Sequence, residues 1–218
     1  MRKIIDLSHV IFDGLITYEG LPAPYICDFL SREASEAIYP EGTSFQIAKI
    51  EMVSNTGTYM DCPFHRYEDG EDLSELSLFN LVDIPAICVK AVDALHIDVA
   101  YFEGLDVKDK AVLVYTGWDA HFNTKEYFIN HPCLTESAAI YLKENGAKLV
   151  GIDSYNIDDT STKYRPVHSI LLRHNILIVE HMTGLRQLPN EGFSFTAVPP
   201  KIKGVGSFPV RAYAQIGT

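Results

Sequence analysis

Four side chains able to do chemistry fall within one eleven-residue stretch, 55 to 65. They are the amide of Asn55, the phenol of Tyr59, the carboxylate of Asp61 and the imidazole of His65. An imidazole takes up and releases protons near neutrality, so His65 is a candidate general acid or base. Its plainer alternative is a partly exposed loop histidine after Pro63-Phe64. Further along, His168 follows Pro166, at the expected start of a helix, where a satisfied core histidine is the plainer alternative to a functional role. Glu180 closes the apolar run Ile176-Leu177-Ile178-Val179. A carboxylate there is costly to bury unpaired and calls for a cation, a hydrogen-bond network or a metal.

Other polar residues carry less. His181 follows Glu180 directly, so on a strand it faces the opposite side, as packing or surface. His96, His121, His131 and His174 have no converging partners along the chain. Gly57-Thr58 lacks the lysine and repeated glycines of a phosphate loop, and the glycine is read as allowing close backbone packing. The four cysteines, Cys27, Cys62, Cys88 and Cys133, show no Cys-x-x-Cys spacing, which excludes zinc-knuckle and thioredoxin-type motifs. Scattered reduced thiols suit the cytoplasm, and Cys62 reads as a small buried hydrophobe. Trp118 is expected in the core, and Tyr18, Tyr25 and Phe29 in local loop packing or as a cap over the pocket.

The elements that must position these groups are mostly strands. Residues 4–7, 45–53, 86–92, 111–116, 148–153 and 176–180 read as strands, with later ones near 194–197, 202–203 and 210–214. Residues 13–43 read as a long excursion without a firm period. The best helix spans 135–146, with Thr135 as N-cap, Gly146 at the left-handed C-terminal position, and Ala138, Tyr141 and Leu142 on one face. A second helix is expected over roughly 167–173. With no repeat or linker, residues 1–218 read as one domain.

Composition narrows the function classes. Net charge is −11, and no Lys/Arg cluster offsets it, so nucleic acid is not an expected partner. No apolar run approaches the ~18 residues of a transmembrane span, and the N-terminus turns acidic too soon for a signal peptide.

The segment Asn55-Thr56-Gly57-Thr58-Tyr59-Met60-Asp61-Cys62-Pro63-Phe64-His65 resembles the His-x-Gly-Thr-His-x-Asp-x-Pro-x-His metal-binding signature of the cyclase family, the group that includes bacterial kynurenine formamidase and isatin hydrolase. Gly57, Thr58, Asp61, Pro63 and His65 match, while Asn55 and Tyr59 stand in place of two ligand histidines. The resemblance extends, in order, through Asp6-Leu7-Ser8-His9, Thr116-Gly117-Trp118-Asp119, Tyr127 to Pro132, Gly151-Ile152-Asp153, Pro166-Val167-His168, Glu180 and Pro209-Val210-Arg211-Ala212. It implies an α/β fold with a mostly β core and helices packed outside. It also implies a homodimer or homotetramer, and a His9 that orients a loop near the site.

For the site, the resemblance implies that Asp61, His168 and Glu180 are metal ligands and that His65 handles protons beside them. One imidazole and two carboxylates suit a single divalent ion, Zn²⁺ or Mn²⁺. At the other ligand position a neutral amide, Asn55, and a phenol, Tyr59, are poor replacements for imidazoles, so that position is expected empty. Tyr59 then either donates to a developing oxyanion or fills the space a second metal would take. Two readings follow. One is a metal-dependent hydrolase of a carbon–nitrogen bond in a small amide or cyclic amide. The other is a relative that binds a small molecule or partner without turnover, over a degenerate site that holds no metal.

Overall fold

Short strands, punctuated by left-handed glycines and asparagines, frame this chain. The computed structural model describes residues 2–217. In chain order, β1 is Lys3–Asp6, β2 is Tyr25–Leu30, α1 is Arg32–Glu36, β3 is Ile47–Glu51 and β4 is Tyr59–Asp61. Next come β5 (Ile84–Lys90), β6 (His96–Ile97), β7 (Ala111–Tyr115) and β8 (Cys133–Leu134). Then follow α2 (Glu136–Glu144), β9 (Leu149–Ile152), α3 (Pro166–Arg173) and β10 (Leu177–Glu180). The chain closes with β11 (Phe193–Thr196), β12 (Ser207–Pro209) and β13 (Tyr213–Ile216).

Nine strands form one sheet in the order β1-β13-β11-β5-β7-β9-β10-β4-β12. The central four, β5, β7, β9 and β10, are parallel. The flanking strands join antiparallel. The sheet curls enough to bring the end of β1 to the end of β10: Ser8, just past β1, bridges Met182, just past β10. Leu7 also receives the N–H of Thr183 and donates to Ala212.

The curl separates two cores. Its inside holds Leu7, Met60, Cys88, Leu113, Val179 and Phe195. Its outside packs Val89, Val112, Val114, Val150 and Ile178 against Ala138, Leu142, Leu171 and Leu172 of α2 and α3. Each fully buried leucine there contributes about 2 kcal/mol through removal from water. Both helices start as their sequence directs. Thr135 caps α2 by accepting from Ala138 N–H, and α3 begins at Pro166.

Three expectations need correction. Residues 45–53 do not enter the main sheet. β3 pairs with β2, from within the expected excursion, in a separate two-stranded hairpin carrying exposed Tyr25, Phe29, Ile47 and Ile50. Alternation is compatible with any sheet face, and it could not tell which sheet receives the strand. No strand forms at 202–203, and the late strands lie at 207–209 and 213–216. Finally, Trp118 is half-buried, anchored by its indole N–H to the Tyr127 carbonyl at 3.0 Å. Among the described residues no helix is long and apolar enough to cross a membrane.

Candidate functional site

The antiparallel ladder between β4 and β10 sets Glu180 opposite Tyr59, and Ile178 opposite Asp61. Met60 and Val179 point into the inner core, so Tyr59, Asp61 and Glu180 share the outer face, toward α3. Gly57, at φ +65°, turns the chain into β4, and a Cβ there would lie 2.8 Å from Ile11. On the far side, β12 places Ser207 beside Asp61. Gly206 lets that strand press on the motif, since a Cβ there would lie 2.3 Å from the His65 backbone nitrogen.

His168 comes from the first turn of α3. Arg165 precedes this helix and offers no side-chain cap. Asp158 supplies one from the preceding loop, accepting Val167 N–H at 2.7 Å and His168 N–H at 3.0 Å. The same carboxylate lies 2.6 Å from His168 Nδ1, which fixes that nitrogen as the donor and aims Nε2 at the β4–β10 ladder.

There Nε2 stands 3.5 Å from Asp61 Oδ2 and 3.6 Å from Glu180 Oε1. All three residues are buried. Burial works against the imidazolium of His168, but the carboxylates of Glu180, Asp158 and Asp61 outweigh it and raise its pKa to about 10. Burial raises the Glu180 carboxyl to about 7, with His168 pulling the other way. For Asp61, burial is outweighed by His65, His168 and Ser207, which lower its pKa. One nitrogen and two carboxylate oxygens thus converge on a point that demands positive charge.

Glu180 is further held by Ile157 N–H, 2.6 Å from Oε1, and by the Tyr59 hydroxyl, 2.6 Å from Oε2. Tyr18 continues the chain: its hydroxyl lies 3.1 Å from that of Tyr59 and receives the Asn156 amide at 2.6 Å. Asp61 Oδ1 accepts from Ser207 Oγ, and Ser207 Oγ lies 2.7 Å from His65 Nδ1. His65 Nδ1 is itself 3.5 Å from Asp61 Oδ1. With Ser207 donating to Asp61, its oxygen accepts from His65 Nδ1–H, leaving Nε2 of His65 as the basic nitrogen. Asn55 is half-buried and accepts from Ser54. Above these groups opens a cleft of about 620 Å³, whose lining includes Asn55, Tyr59, His65, His168, Tyr155 and Phe128.

The donor set fits a divalent cation. Ligand atoms of Asp61, His65 and His168 all lie within 4.8 Å of one another, a group that holds His65 in place of Glu180, whose Oε1 lies 3.6 Å from His168 Nε2. Asp61 Oδ2 is buried without a hydrogen-bond partner among the described residues. Tetrahedral ligands about 2.1 Å from an ion sit about 3.4 Å apart, close to the spacing of His168 Nε2 from both carboxylates.

The chain brings all six sequence candidates together: Asn55, Tyr59, Asp61, His65, His168 and Glu180. Sequence reasoning missed Asp158 and Ser207, and it offered Tyr18 only as loop packing or a cap over the pocket, whose lining it joins. A signal existed for Asp158, because a helix opening Arg165-Pro166 has no local cap and needs a distant acceptor. Ser207 and Tyr18 lie in segments without a readable period. His181 packs, as expected, though not by strand alternation. The strand ends at Glu180 and His181 adopts φ +52°, so alternation fails there. It is fully buried, its Nδ1 3.0 Å from the Tyr127 hydroxyl, with its ring 5.2 Å from that of Tyr59. His9 sits against the site by stacking on Phe122 at 3.6 Å, its backbone N–H bound to Thr58.

Comparison with known proteins agrees with this frame. The Cyclase family model matches residues 5–159. The kynurenine formamidase of Geobacillus thermodenitrificans (strain NG80-2) is 30% identical over 173 residues, 79% of this chain and 81% of that protein. Isatin hydrolase A from Labrenzia aggregata superposes with a TM-score of 0.83 at 20% identity, covering 100% of this chain and 94% of that one. A structure described as a potential metal-dependent hydrolase with cyclase activity gives a TM-score of 0.82 at 22% identity, covering both chains fully (100% each). The curled sheet, the β4–β10 ladder with its buried acids, and a family match over most of its length place this chain in the cyclase family.

Proposed function

We propose that this protein hydrolyses the carbon–nitrogen bond of a small amide or cyclic amide, with one divalent cation held by Asp61, His168 and Glu180. The observation that carries the reading is the approach of His168 Nε2 to Asp61 Oδ2 and Glu180 Oε1, at 3.5 and 3.6 Å, beneath an open cleft. Two carboxylates and one imidazole suit zinc or manganese. Bound there, such an ion supplies Lewis acidity to a nearby water and to the substrate carbonyl.

The chain's own residues do the rest. Asp158 holds His168 in the tautomer that presents Nε2 to the ion. His65, on the cleft wall with its side chain 34% exposed, takes a proton from the attacking water and returns it to the leaving nitrogen. Ser207 keeps its Nδ1 occupied, so the exchange runs through Nε2. Tyr59 donates its hydrogen bond to Glu180 and fills the space next to that carboxylate. Donation from Tyr59 to an oxyanion would first require release of Glu180. Asn55 adds a neutral amide to the wall and no charge. Support for amide chemistry comes from the 30% identical relative, a kynurenine formamidase.

A second reading, a ligand-binding relative without turnover, draws on the same Tyr59–Glu180 contact, which ties up one ligand oxygen. Formanilide hydrolysis separates the two. Turnover lost in both His65→Ala and Glu180→Ala supports the hydrolase. No turnover by the parent protein, even after incubation with Mn²⁺ or Zn²⁺, supports the binder.

A further inference from the structure

Two guanidiniums border the cleft, Arg66 and Arg165, against one carboxylate in its lining, Glu19. That balance is the reverse of the chain's net charge of −11. Neither arginine has a salt-bridge partner among the described residues, whereas Arg173 pairs with Asp69 and Arg211 with Asp6. Arg165 is also fixed in place. Its Nη1 donates to the carbonyls of Asp159, Thr162 and Tyr164 at 3.0, 2.5 and 2.9 Å. Backbone carbonyls orient the planar fork without neutralising it. Its Nη2 and Nε make no hydrogen bond among the described residues, so a face of the fork stays available. Arg66, next to His65 in the chain, makes one side-chain hydrogen bond among the described residues, from Nε to Ser169 Oγ at 3.3 Å. The same lining carries the rings of Phe128 and Tyr155, which pack edge to face at 5.2 Å.

A fixed, unpaired fork on a partly desolvated wall is suited to a carboxylate, which it can grip through two parallel hydrogen bonds. We propose that Arg165, assisted by Arg66, selects substrates that bear a carboxylate on or near an aromatic ring, so that the cleft takes anionic aryl amides in preference to neutral ones. This rests on the amide-hydrolase reading for turnover, though not for binding. Arg165 is here a specificity residue. It grips the end of the substrate remote from the scissile bond and leaves the chemistry to the Asp61–His168–Glu180 group.

The test compares 3-formamidobenzoate with formanilide as substrates, and benzoate with benzamide as ligands in calorimetry, for the parent protein, Arg165→Gln and Arg66→Gln. The parent protein is expected to favour 3-formamidobenzoate by at least about tenfold in kcat/KM, and benzoate over benzamide by a similar ratio. Arg165→Gln should lose most of both preferences, chiefly through KM, while formanilide turnover changes less than about twofold. Because Arg165 also ties its own loop together, Arg66→Gln is the independent probe; it should lose a smaller part of each preference. A benzoate preference that is abolished in Arg165→Gln, with no turnover of either amide, would leave this inference standing and remove the hydrolase reading. Equal handling of the charged and neutral members by the parent protein, or preferences unchanged in both variants, would overturn the inference.

Discussion

Tyr59 and Glu180 face each other across the β4–β10 ladder, and the Tyr59 hydroxyl meets Glu180 Oε2 at 2.6 Å. That contact decides how the altered motif works. The phenol is buried, and burial together with the Glu180 charge raises its pKa well above the ordinary tyrosine value. Tyr59 therefore stays protonated and acts as a donor to the buried Glu180 carboxylate, standing where the resemblance places a ligand histidine. Tyr59→Phe removes a hydrogen bond to a buried charged acceptor, worth about 2 kcal/mol. Urea denaturation should show that loss of stability, while the metal content of the folded protein stays at about one ion per chain.

The Asp158 carboxylate holds His168 Nδ1, and its role separates from packing by what it does to affinity. Asp158→Asn keeps the size of the side chain but weakens its hold on Nδ1–H and on the cap of α3. Outer partners of ligand histidines are worth about 10–100-fold in metal affinity. Titration with Zn²⁺ or Mn²⁺ against a competing chelator should show a fall of that size, with α3 still formed by circular dichroism.

Ser207 links Asp61 to His65 Nδ1. Ser207→Ala frees the imidazole to rotate and to exchange tautomers. A positioned acid–base group contributes about 10²–10⁴-fold to a rate, and losing its orientation alone costs less than losing the group. A fall in kcat of about tenfold, with KM within about twofold and metal content unchanged, is expected on a formanilide-type substrate. A change confined to KM would assign Ser207 to substrate binding instead.

Much of this was legible in the chain. The 135–146 helix carries its own cap and stop, and the parallel strands are continuous apolar runs, so local rules suffice for both. Glu180 stands out by cost alone, as an acid closing an apolar strand, and it is fully buried. Long-range pairing was not legible. Period-two patterning on β3 says nothing about which strand receives it, and Ser207 acquires meaning only because β12 docks beside β4. Alternation failed at His181 for a definite reason: it assumes extended backbone, and the φ there is +52°.

Acid should weaken this fold partly through His9. Burial lowers its pKa to about 4, although Asp119 pulls upward. The unfolded chain, with His9 near its ordinary 6.5, binds more protons between those values, so stability rises with pH across about 4 to 6.5 and is lost as pH falls through that window. The contribution is about 2 kcal/mol after allowance for partial exposure. Burial raises Asp153 to about 6 and tilts stability the opposite way, equally in parent and variant. Denaturation at pH 4.5 and 7 should show a shallower pH slope for His9→Gln, and an unchanged slope would mean that His9 contributes nothing to acid sensitivity.

The proposed chemistry requires that Asp61, His168 and Glu180 together hold one catalytic divalent ion. Elemental analysis of the protein purified without chelator, alongside Glu180→Gln, tests this most directly. About one zinc or manganese per chain, lost in the folded variant, is the predicted result. No ion in either protein after incubation with Zn²⁺ and Mn²⁺, or full retention in Glu180→Gln, would contradict it.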